Sequence, residues 1–129
     1  MLSKEQIEQY LEEMNNRLAS RQMHGEIVLC GGAVMALVQN ARQSTKDIDA
    51  LFEPTAVLRE IAKDIAEEHG LEEDWFNDAA KGFIDTSRMH FTEVRAYSNL
   101  TVRRPDDEAM LALKLASARE DSKEAEDAL

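Results

Sequence analysis

Two aspartates one residue apart, Asp47 and Asp49, follow a glycine pair, Gly31 and Gly32, in a chain of 129 residues. On an extended strand, positions i and i+2 project to the same face, so the two carboxylates can share hard Mg²⁺ ions through oxygen. A diglycine after an apolar run lets the backbone bend sharply and lets its N–H groups approach a triphosphate without side-chain interference. Arg42 and Lys46, in the polar stretch between the two pairs, are cations able to neutralise phosphate charge. Each part alone is weak, because Gly-Gly is an ordinary turn signal and Asp-x-Asp is common on solvent-facing strand edges. The order is more telling: strand, Gly-Gly, helix, loop, then Asp-Ile-Asp on a second strand describes a site for a phosphate chain and its metal.

The surrounding pattern predicts the elements that must hold these residues. A helix is expected over 3–22, opened by a Ser3/Gln6 capping box, with Ile7, Leu11, Met14 and Leu18 on one face. The apolar run 27–30 (Ile-Val-Leu-Cys) reads as a buried strand, 33–39 as a helix, and 47–52 as a strand with one apolar and one polar edge. Thr55 is placed to cap a helix over 55–68, with Leu58, Ile61, Ala62 and Ile65 inward and Gly70 beyond its end. Residues 71–82 read as irregular around Trp75 and Phe76, strands are expected at 89–95 and 100–103, and helices at 105–119 and from 121 onward. The class is α/β (α+β), a small mixed sheet flanked by helices, in one domain over 1–129. The helical pattern still running at Leu129 reads as a C-terminus cut short or as a fraying helix.

Leu29-Cys30-Gly31-Gly32 followed by Asp47-Ile48-Asp49-Ala50 resembles the signature of the DNA-polymerase-β-type nucleotidyltransferase superfamily. The form Ser44-Thr45-Lys46-Asp47-Ile48-Asp49 is especially similar to small bacterial nucleotidyltransferases of the abortive-infection toxin type. The likeness extends through 74–82 and resumes at 110–119, where Lys114 stands in what resembles the family's later Lys-containing helix. Glu124 and Asp127 look like a variant of its final acidic pair. The resemblance implies the nucleotidyltransferase fold and Mg²⁺-dependent transfer of a nucleoside monophosphate from an NTP to an acceptor hydroxyl of RNA, protein or a small molecule. In that scheme Asp47 and Asp49 would hold the metals, Gly31 and Gly32 would cradle phosphate, and Lys114 is a candidate to contact it, with an ordinary helix-surface lysine as the plain reading. Many members use a third carboxylate on a neighbouring strand. Glu93 is the first choice here and Asp78 the alternative, with an ordinary surface acid as the plain reading of each. The spacer from Gly32 to Asp47 is slightly long for the common pattern. The toxin branch would further imply a tRNA acceptor and a cognate antitoxin. A catalytically degenerate module of the same fold, serving to bind or regulate, is the competing expectation.

Composition narrows the rest. A net charge of -11 disfavours broad binding to phosphate backbones. No apolar run has the length of a membrane span, and the single cysteine, Cys30, forms no internal disulfide, so a cytoplasmic protein without a membrane partner is expected. His24, His69 and His90 lack metal-ligand spacing with one another or with Cys30. Trp75 and Phe76 could stack on a base, but a core anchor is the simpler role. Arg103-Arg104 is a local basic spot that could face an acceptor.

Overall fold

The computed structural model describes residues 1–39, 44–79, 81 and 89–106. Pro105, expected to open a helix, is instead the last residue of a strand, and beyond Asp106 the expected helices over 105–119 and from 121 onward, with Lys114, Glu124 and Asp127, lie outside the described residues, as does Arg42.

Helix α1 spans Lys4–Ser20, and its start follows from the sequence: the Ser3 hydroxyl accepts from the Gln6 N–H while the Gln6 side chain accepts from the Ser3 N–H. Such a reciprocal cap is worth about 0.5–2 kcal/mol. Ile7, Leu11, Met14 and Leu18 recur at helical spacing and are all fully buried, each burial contributing roughly 1.5–3 kcal/mol. Strand β1 (Gly25–Cys30) follows, then a three-residue turn α2 (Gly32–Val34), which passes into a π-helix over Met35–Gln39. The expected helix over 33–39 is thus wound wide rather than as a regular α-helix. Strand β2 (Ile48–Glu53) leads into helix α3 (Thr55–His69). Pro54, not Thr55, holds the N-cap position of α3, and the Thr55 hydroxyl donates back to the Phe52 carbonyl at 3.0 Å. Gly70 ends the helix in the left-handed conformation, φ 66°.

Within the stretch expected to be irregular, Phe76–Asn77 forms a short strand, β3. Strands β4 (Phe91–Ala96) and β5 (Leu100–Pro105) make an antiparallel hairpin. The five strands form one mixed sheet in the order β3-β2-β1-β5-β4, in which β1 is antiparallel to β2 and parallel to β5. The protein is therefore α/β, as its alternating patterns predict.

Ile27 and Leu29 of β1, Ile48, Ala50 and Phe52 of β2, and Leu100 and Val102 of β5 join the inward faces of α1 and α3 in one core. Trp75 is part of it, 2% exposed, with its indole N–H donating to the Ala62 carbonyl at 2.9 Å and its ring 5.3 Å from that of Tyr10. The anchor role, not base stacking, is the one Trp75 fills. Asn15, a buried polar residue of α1, accepts from the Asn99 N–H at 2.6 Å and so fixes the β4–β5 turn to the helix. Arg17–Glu68 and His69–Glu13 pairs clamp α1 to α3 at the surface.

Candidate active site at the diglycine corner

The geometry of the corner starts from alternation along β2. Ile48 and Ala50 are fully buried, so Asp49 between them projects to the opposite face of the sheet. In the antiparallel ladder Asp49 lies directly opposite Cys30, the residue that immediately precedes Gly31. The carboxylate-bearing end of β2 and the diglycine end of β1 are therefore one corner of the molecule. Asp47 stands just before the strand rather than inside it, half-buried at a bend.

Gly31 has φ 55° and ψ −132°, a left-handed φ that an L side chain adopts only with strain, and open space surrounds it. Gly32 is required for a different reason: a Cβ there would meet the Thr45 Oγ1 at 2.7 Å. Both glycines are exposed, so their backbone is open to a ligand. Lys46 is exposed beside Asp47.

The Cys30 thiol reports the electrostatics. Its pKa is pushed up to about 12, first by burial and next by the negative charge of Asp49, with a backbone hydrogen bond at Leu51 acting the other way. A carboxylate close enough to disturb a neighbouring thiol, beside an exposed diglycine, supplies hard oxygen donors of the kind that suit Mg²⁺.

The structure thus brings Gly31, Gly32, Lys46, Asp47 and Asp49 to one corner. Glu93 is not among them. It lies on β4 opposite Arg103, at the far edge of the sheet and three strand steps from β2, or about 14 Å by ordinary strand spacing. Asp78 is engaged by Arg59 at 2.6 Å. A further acid, Asp106, which carries no motif of its own, follows the carboxyl end of β5. Because β5 runs parallel to β1, that end lies on the diglycine side of the sheet. Pro105-Asp106-Asp107 is a visible acidic spot in the sequence, but only the strand order reveals where it leads.

Polar groupings also lie elsewhere among the described residues. An open concavity of about 510 Å³, lined by His24, Glu26, Glu53, Pro54 and Thr55, sits at the opposite end of β1 and β2. Glu13, Glu68 and His69 place one ligand atom each within 4.8 Å of one another on α1 and α3.

Comparison with family models matches residues 5–124 to the nucleotidyltransferase family of unknown function DUF6036. The chain belongs to that family. Its five-stranded mixed sheet with flanking helices is consistent with a nucleotidyltransferase fold. Membership makes it a nucleotidyltransferase by family and implies an NTP substrate and divalent metal in general terms. Comparisons with curated proteins and with solved structures found no match. Among the described residues no helix is long and apolar enough to cross a membrane.

Proposed function

We propose that the diglycine corner binds a nucleoside triphosphate with Mg²⁺ and transfers its nucleoside monophosphate to an acceptor hydroxyl. The observation that carries this reading is the register of β1 and β2, which sets Asp49 opposite the residue preceding the exposed diglycine. In the reaction the acceptor oxygen forms a bond to the α-phosphorus, the bond to the pyrophosphate oxygen breaks, and the hydroxyl proton leaves to water or a nearby base. Bound Mg²⁺ would offset the charge developing on the phosphate oxygens and lower the pKa of the attacking hydroxyl. Asp47 and Asp49 would hold it. The exposed amides at Gly31 and Gly32 would receive phosphate oxygens, with Lys46, Arg42 and Lys114 as cations for the remaining charge. Strand order offers two acids as a third carboxylate ahead of Glu93: Asp106, beyond the end of β5 that lies beside the diglycine, and Asp78, one residue after the β3 residue paired with Asp49.

In this reading the chain works as one domain in the cytoplasm, where a lone cysteine stays reduced. The acceptor is RNA, protein or a small molecule. A tRNA acceptor and a cognate antitoxin rest on the likeness of Ser44-Thr45-Lys46-Asp47-Ile48-Asp49 to abortive-infection toxins. The distance of Glu93 from the corner favours one alternative, a degenerate module that binds nucleotide without transferring it.

Thermal melting with Mg²⁺ and each NTP tests the binding step. Stabilisation should require both ligands and vanish in Asp47→Asn and Asp49→Asn. Identical melting of wild type and both variants under every condition would end this reading. Incubation with labelled NTPs and total cellular RNA and protein then separates enzyme from binding module, since only transfer leaves label on an acceptor.

A further inference from the structure

Asp47 precedes the first residue of β2, so the strand itself begins one residue too late to hold it. Something else must fix the bend that carries this carboxylate, and three contacts converge on one neighbour, Thr45. Its backbone pairs with that of Leu2, the Leu2 N–H donating to the Thr45 carbonyl at 2.6 Å and the Thr45 N–H to the Leu2 carbonyl at 2.9 Å. Leu2 is itself a core residue, 4% exposed, so this bridge ties the loop to the body of the protein. The Thr45 Oγ1 lies against the bare Cα of Gly32, at the place where a Cβ would come within 2.7 Å. The same hydroxyl donates to the Asp47 carbonyl at 2.9 Å.

From these contacts we infer that Thr45 is a positioning residue that holds the diglycine turn and the Asp47 backbone, from which the carboxylate projects, in one fixed relation. The inference rests on the nucleotide-and-metal reading above. A hydroxyl has one proton to give, and here it goes to the Asp47 carbonyl. The oxygen meanwhile occupies the space that the missing Gly32 side chain leaves open. One side chain therefore touches both halves of the corner, the turn offered to phosphate and the bend offered to metal. A site in which carboxylates share a cation with a phosphate chain has to be held to within about 0.5 Å, and supporting contacts of this kind do the holding. The need for glycine at position 32 follows from the same arrangement.

The test compares the full chain with Thr45→Val, which keeps the shape and loses the donor, Thr45→Ser, which keeps the donor, and Thr45→Ala, which loses both. Each is titrated with Mg²⁺ in the presence of a fixed fluorescent NTP analogue, and each is melted without ligands to read folding separately. Thr45→Val is expected to need roughly tenfold more Mg²⁺ for half-maximal nucleotide binding, as for loss of one well-placed hydrogen bond. Its ligand-free melting should shift far less than its binding does. Thr45→Ser should restore most of the wild-type Mg²⁺ dependence, and Thr92→Val, on exposed β4, should not alter it. If Thr45→Val fails to fold, Thr45→Ala supplies the same reading without a branched methyl against Gly32. Wild-type Mg²⁺ dependence in both donor-less variants overturns the role of Thr45 and leaves the site reading standing. A wild type that binds no nucleotide at any Mg²⁺ concentration overturns the site reading, and the role of Thr45 with it.

Discussion

Cys30 and Asp49 face each other across the β1–β2 ladder, and the thiol carries the mark of that pairing. With its pKa pushed up to about 12 by burial and then by Asp49, Cys30 stays protonated at any physiological pH and is a poor nucleophile. Iodoacetamide at pH 8 should leave it unmodified in the folded chain and alkylate it once the chain is denatured. Equal rates in both states would contradict the arrangement. The sign of the linkage follows. Between its ordinary value of 9.0 and about 12 the folded chain keeps a proton that the unfolded chain has lost, so stability falls as pH rises through that window. Tyr97, raised first by burial, acts in the same direction. Urea midpoints measured from pH 8 to pH 11 should decline, and a rise over that range would count against both placements. At Gly32 the expected cost is steric. Gly32→Ala must displace the Thr45 hydroxyl, and a loss of about 1–3 kcal/mol in urea unfolding is expected for such overpacking.

Among the elements, those with a long period are legible in the sequence alone. The cap and apolar stripe of α1, the alternation of β2 and the inward face of α3 each repeat often enough to be read locally. Ser3→Ala should therefore cost about 0.5–2 kcal/mol, read as a lowered denaturation midpoint with activity otherwise intact. Strand β3 is not legible because two residues, Phe76 and Asn77, are too few to show alternation. It exists because the Trp75 carbonyl accepts from the Ile48 N–H at 2.6 Å, a contact between distant parts of the chain. The π-helix over Met35–Gln39 is hidden by apolar side chains that suit any helix, and Thr55 does not cap α3 because Pro54 already occupies the position. Strand order is the largest gap. Glu93 sits in strand sequence beside plausible neighbours, yet β5 inserts between β1 and β4 and carries it to the sheet edge. Pairing between remote strands leaves no local trace, so the Gly-Gly and Asp-x-Asp pairs are recognisable while any third acid is not.

For the molecule as a whole, a net charge of -11 surrounds a corner proposed to take a polyanion. Such a surface slows the approach of phosphate ligands at low salt, and a divalent cation on Asp47 and Asp49 would reverse the sign where it matters. Among the described residues the Glu13, Glu68 and His69 group between α1 and α3 could also hold a metal, and an open acidic concavity lies near His24, Glu26 and Glu53. Paramagnetic line broadening by Mn²⁺, added with a non-hydrolysable NTP to isotope-labelled protein, distinguishes the three directly. The backbone amides of Gly31, Gly32, Asp47 and Asp49 should broaden first, and Asp49→Asn should abolish the effect. Sharp resonances at those four residues, with broadening around His24 and Glu26 or around Glu13 and His69, would contradict the proposed site.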